Sequence, residues 1–185
     1  MRQDVDQGIF VRESDGAGGT RPTVLLVHGL GESALGFEPL LDRPELRDWR
    51  LVAPDLPGYG RTAWPAEPLP LVNLADVAAA VAVRRGAAPC VVVGHSLGGV
   101  LALLMAERHP DVVRAVVDVD GNKSRGDCVF SGQAAGQDLA AFLDGGFDGL
   151  RDRVYRAGLD APAQRGYHAS LRLADPRSFW RHSRE

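Results

Sequence analysis

Four short, largely apolar runs punctuate the first two-thirds of the chain: Thr23–Val27, residues 49–53, residues 90–93 and residues 112–119. They are continuous rather than alternating and rich in valine, the pattern of strands buried on both faces of a parallel sheet. Helical stretches fall between them. A loosely periodic one covers residues 35–46. Asn73 is expected to cap a helix over residues 74–85, with Gly86 just beyond as a stop. Leu97–Arg108 is apolar nearly all round, which predicts a buried helix, and Pro110 follows it. Residues 8–12, GIFVR, alternate weakly and predict an edge strand, followed by a Gly- and Asp-rich turn at residues 14–21. Strands alternating with helices predict an α/β protein with a doubly wound, mostly parallel sheet.

The pattern changes after Gly121. Residues 129–150 have only weak helical periodicity, and residues 151–185 are polar and Arg-rich, with a helix expected over Pro176–Arg184. No buried strand is expected after Val119. The division is therefore an α/β core over residues 1–121 and a cap-like helical segment over 122–185.

Composition narrows the function classes. With 185 residues, 45% hydrophobic and 24% charged, the chain is a globular domain able to bury a core. A net charge of −3 supplies no basic field for nucleic acid, and no apolar run is long enough for a membrane span. Cys90 and Cys128 make neither a disulfide framework nor a zinc-ligand spacing. No metal or cofactor is expected, and the expected location is cytoplasmic. Twenty of the 21 basic residues are Arg, Lys123 being the one lysine, a coding bias from which no function follows.

The chemistry concentrates at Gly94-His95-Ser96-Leu97-Gly98, which joins the third apolar run directly to the buried helix. G-x-S-x-G between strand and helix forces a sharp, strained turn that raises the serine hydroxyl at the carboxyl end of the sheet. The helix that follows aims its first N–H groups at the same point, where they favour a developing oxyanion.

Three motifs occur in order: His28-Gly29-Leu30-Gly31, Asp55-Leu56-Pro57-Gly58-Tyr59-Gly60-Arg61-Thr62 and Gly94-His95-Ser96-Leu97-Gly98-Gly99. With them the chain resembles the α/β-hydrolase fold superfamily, in its small serine esterase and C–C-hydrolase-like branches. The resemblance covers residues 23 to about 120. It implies Ser96 as nucleophile and an oxyanion hole from the backbone N–H groups of Leu30 and Leu97. His28, Gly29 and His95 are expected around the pocket, with His28 structural because it precedes the serine. Asp120, in the loop after the fourth run, is the candidate acid, ahead of Asp118 inside the run. The four runs should lie in the order second, first, third, fourth, leaving the fourth as an uncovered edge through which chains could self-associate.

The same resemblance exposes a gap. The family's base is a histidine that follows the last strand. Here His109 ends a helix, and neither His168 nor His182 follows an apolar strand. The expectation is a hydrolase lacking the C-terminal part of the fold. Two function classes stay open: a serine hydrolase of a small ester, thioester or related carbonyl compound, and a catalytically incomplete product that at most binds an acyl compound or another chain. The substrate and the oligomeric state are not legible.

Overall fold

The computed structural model describes residues 1–14, 21–121 and 124–185. Most of the turn expected at residues 14–21 lies outside the described residues, as does Lys123. In chain order the elements are β1 (Arg2–Asp6), β2 (Ile9–Glu13), β3 (Thr23–Val27), α1 (Glu38–Leu41), β4 (Arg50–Pro54), α2 (Leu71–Arg84), β5 (Cys90–His95), α3 (Leu97–Arg108) and β6 (Val113–Val119). Then follow α4 (Val129–Ala135), α5 (Leu139–Ala141), α6 (Phe147–Ala157), α7 (Pro162–Leu171) and α8 (Pro176–Arg184).

The sheet order is β1-β2-β4-β3-β5-β6. The expected sequence of second, first, third and fourth apolar runs is found in β4-β3-β5-β6, all parallel, while β1 and β2 run antiparallel. Several local expectations are corrected. The segment expected at an edge is interior: β2 sits between β1 and β4 and is buried throughout. Its charges pay for that burial with partners. Arg12 pairs with Glu38 and Asp55, and Glu13 receives Arg50 and Arg85. The true edge is β1, whose sequence RQDVD has no apolar pattern to announce a strand. The stretch at 35–46 is broken into Ala34–Phe37, α1 and Pro44–Leu46 rather than one helix.

Helix α2 begins at Leu71, not at Leu74, so Asn73 lies inside its first turn. The cap comes from far along the chain, since the Glu185 carboxylate accepts from Leu71 N–H at 2.8 Å. Helix α3 buries Leu97, Leu101, Ala102 and Met105 but leaves Leu103 half exposed, so this apolar helix is covered on one face rather than all round.

Strand β6, expected to be buried, is the least covered of the apolar strands: Val117 and Val119 are 47% and 45% exposed. Among the described residues nothing pairs with its outer edge, and no strand follows it. One contiguous apolar cluster fills the face carrying α2 and α3, from Val11, Leu25 and Val27 through Leu74, Leu101 and Met105 to Phe142, Phe147, Leu171 and Phe179 of the helical segment. A smaller one on the opposite face holds Leu26, Ala34, Leu41, Leu51 and Ala53. Cys90 belongs to the first, and burial pushes its thiol up to about 11. None of the helices described is long and apolar enough to cross a membrane.

Candidate active site

Strand β5 ends at His95 and α3 begins at Leu97, leaving Ser96 alone at the corner with φ 53° and ψ −120°. A non-glycine residue at such a φ is held there by its surroundings. Ser96 N–H donates to Val119 O at 2.9 Å, and Gly99 N–H to Ser96 O at 2.8 Å. The glycines around it are steric necessities. A Cβ on Gly94 would stand 2.0 Å from Gly98 O, and one on Gly98 would stand 2.1 Å from Val27 O. The turn can be this sharp only where backbone touches backbone. The Ser96 side chain does not cap α3; of the first-turn N–H groups, that of Gly99 is taken up by the Ser96 carbonyl.

The loop after β3 lies against this corner. A Cβ on Gly29 would stand 3.1 Å from both Ser96 Cβ and His95 O. His28 is buried and spends both ring nitrogens on backbone. Nε2 accepts from Leu56 N–H at 3.0 Å, which leaves the proton on Nδ1 to donate to Gly29 O at 2.9 Å. Burial lowers its pKa, against the opposing effect of the Gly29 carbonyl, and the ring is neutral. Gly29 O also accepts from Glu32 N–H at 3.2 Å. In a planar trans peptide the carbonyl and the next N–H point in opposite directions. With Gly29 O held by His28 and Glu32, the Leu30 N–H is aimed the other way. On its far side, Leu30 O accepts from the Tyr167 hydroxyl at 3.1 Å.

Around the elbow stands a charged group that sequence reasoning missed. His95 Nδ1 donates to Glu32 Oε2 at 2.9 Å, and the same oxygen accepts from Gly29 N–H at 2.7 Å. The hydrogen bond to Glu32 raises the His95 pKa, with burial opposing and the Asp120 charge adding. Burial alone would raise the Glu32 carboxyl, but the His95 bond and charge outweigh it and bring the pKa down. The one signal for Glu32 was its place three residues after Gly29, the span at which a carboxylate can return to the backbone of a tight turn.

The two aspartates at the end of β6 differ. Asp120 is exposed with φ 54°, just past the strand, and lies within electrostatic reach of His95. Asp118 turns toward α3, where its Oδ1 stands 2.3 Å from the place a Cβ on Gly99 would take.

The other histidines go elsewhere. His109 Nε2 hydrogen-bonds Asp76 Oδ1 at 2.7 Å, at the opposite end of α3 from Ser96. His168 packs tilted against Tyr155, with ring centroids 5.3 Å apart and 55° between the planes. His182 is buried at 4% exposure. Its Nε2–H donates to Leu69 O at 2.7 Å, and its Nδ1 accepts from the Tyr59 hydroxyl at 2.6 Å. Burial lowers its pKa. The motif Asp55–Thr62 is a buried anchor. Asp55 accepts from Ala34 N–H and Arg61 N–H, both at 2.7 Å, and so ties the loop after β3 to the loop after β4.

Comparison with known proteins gives the family and the fold. Residues 22–182 match the family described as alpha/beta hydrolase fold. Lipase LipV of Mycobacterium tuberculosis is 39% identical over 98 residues, 52% of this chain and 36% of that protein. A pimeloyl-[acyl-carrier protein] methyl ester esterase of Neisseria meningitidis is 39% identical over 93 residues, 50% of this chain and 34% of that protein. The matched stretch thus spans about a third of the length of these curated relatives. Among solved structures, the N-acyl homoserine lactonase AidH superposes with a TM-score of 0.72 at 25% identity, covering 98% of this chain and 66% of that one. A hydrolase from Pseudomonas aeruginosa PA01 superposes at 0.76 with 18% identity, covering 99% and 71%, a likeness of fold alone.

Proposed function

Because the chain belongs to the alpha/beta hydrolase fold family, we propose that it hydrolyses a small carboxylic ester or related carbonyl compound with Ser96 as nucleophile. The observation that carries this reading is the positive-φ elbow at Ser96, with the Gly29 loop against it and the N-terminus of α3 beside it. In the proposed reaction Ser96 Oγ bonds to the carbonyl carbon, and the carbonyl oxygen takes the charge. Leu30 N–H and Leu97 N–H donate to that oxygen. Collapse expels the alcohol, which carries away the proton lost from the Ser96 hydroxyl, and leaves an acyl-enzyme, which water then cleaves to the acid with return of a proton to Ser96 Oγ. Asp120 is the proposed acid, at the end of the strand beside the elbow. Residues 1–121 would supply this machinery, and the helical segment would act as the cap. The related proteins act, by name, on a methyl ester and on a lactone, which supports a small acyl compound as substrate class.

A second reading, a chain that binds an acyl compound without turning it over, is favoured by one observation. The ring nitrogens of His28 and His182 are all committed to other partners. Hydrolysis of p-nitrophenyl acetate by the chain and by Ser96→Ala separates the two. A rate that disappears in Ser96→Ala supports the hydrolase. Equal rates in both refute it and leave the binding reading.

A further inference from the structure

We propose that Glu32 is a positioning residue for the oxyanion hole, stapling the loop after β3 to the nucleophile elbow through a single carboxylate oxygen. The proposal rests on the reading of Ser96 as nucleophile and Leu30 N–H as oxyanion donor. Oε2 of Glu32 accepts from Gly29 N–H at 2.7 Å and from His95 Nδ1 at 2.9 Å. Gly29 precedes the peptide that carries the Leu30 N–H, and His95 precedes Ser96, so beyond the last β3–β5 pairing, Val27 with Gly94, one atom ties the donor's loop to the nucleophile's turn. The carboxylate and Ser96 flank the same point. A Cβ on Gly29 would stand 3.0 Å from Oε2 and 3.1 Å from Ser96 Cβ.

The other contacts of the loop do not duplicate this role. His28 and Glu32 N–H hold Gly29 O, fixing which way the peptide faces. Tyr167 holds Leu30 O against α7. Neither reaches the elbow; among the hydrogen bonds described, the bridge from this loop to His95 runs through Glu32. Both bonds are charge-assisted, and the Glu32 side chain is only 26% exposed, so water competes weakly for them. An oxyanion donor acts only at its correct distance from the developing charge, and a displacement of about 1 Å costs on the order of a hundredfold in rate. Loss of the staple therefore acts on the transition state rather than on substrate binding.

The test uses Glu32→Ala and Glu32→Gln in the full chain, with two readouts: amide hydrogen exchange over residues 28–31, and kcat and KM for p-nitrophenyl acetate. Glutamine keeps an acceptor oxygen at the same reach. Glu32→Ala is expected to speed Gly29 amide exchange by about tenfold or more and to lower kcat by roughly ten- to a hundredfold with KM within about threefold. Glu32→Gln is expected to return both to within about threefold of the parent. Unchanged exchange in Glu32→Ala overturns the proposal, as does faster exchange with unchanged kcat. Equal damage in Glu32→Gln and Glu32→Ala overturns it too. If the parent shows no Ser96-dependent turnover, the nucleophile reading fails, and the exchange measurement still decides whether the carboxylate holds the loop.

Discussion

Replacing Phe179 with alanine removes a ring that packs the helices after β6 together and against the loop after β3. Phe179 is fully buried, stacked on Phe142 at 6.0 Å with 19° between the planes and tilted against Phe147 at 5.4 Å. It also reaches the oxyanion loop, its Cε2 standing 2.7 Å from the place a Cβ on Gly31 would take. Three neighbours lose contacts at once, and the cavity is walled by helices that collapse only in part. Phe→Ala at such a site costs roughly 3–5 kcal/mol. Against a total of about 5–15 kcal/mol that is a large fraction of the stability. At about 2–4 °C per kcal/mol for a domain of this size, Tm should fall by about 6–20 °C. Thermal melts followed by circular dichroism at 222 nm and by tryptophan fluorescence check this. Both probes should shift together, because the cluster that holds Phe179 also holds Leu25 and Val27 of β3. A Tm within about 2 °C of the parent would refute the packing argument. Early loss of helical signal with the later transition in place would show that the helical segment unfolds as a unit of its own.

Gly98→Ala should cost more than about 3 kcal/mol in urea unfolding, since its Cβ would lie 2.1 Å from Val27 O; Gly36→Ala, with no atom within 4 Å of its Cβ, should be neutral or stabilising by up to about 1 kcal/mol. Similar values for the two would contradict the account of the elbow. Stability should fall as pH drops below 6.5, the unfolded value for histidine, because His28 and His182 have lowered folded pKa values and the unfolded chain binds protons first. His95, with its folded pKa raised, works the other way: its contribution is present below 6.5 and is lost as pH rises through its folded value. His182→Phe should flatten the acid slope in unfolding measured from pH 7 to 5; a slope unchanged by that substitution would count against the neutral buried ring.

The strand–elbow–helix at residues 90–108 was legible because its causes are local. A valine run, a serine between glycines and an apolar helix leave the backbone one way to turn, and Gly94 is required by a contact only four residues away, with Gly98 O, although Gly98 itself answers to Val27 O of β3. The order of the four parallel strands came with the resemblance to the α/β-hydrolase fold, because apolar runs without alternation announce strands of a parallel sheet but not which of them are neighbours. What the chain did not announce depends on partners distant in sequence. The run RQDVD becomes a strand because β2 offers it an edge, and Arg12 is tolerated inside the sheet because Glu38 and Asp55 come to meet it. The cap of α2 arrives from Glu185, 114 residues further on. His182 looks like a surface residue on an Arg-rich helix until Tyr59 and Leu69 close over it. The Glu32–His95 pair joins positions 63 residues apart. Neither residue is unusual alone, and only the packing of β3 beside β5 brings the ends of those two strands together. Apolar periodicity is a property of a short window of chain, whereas a polar side chain acquires its role, and Gly98 its steric necessity, from whatever the fold sets beside it.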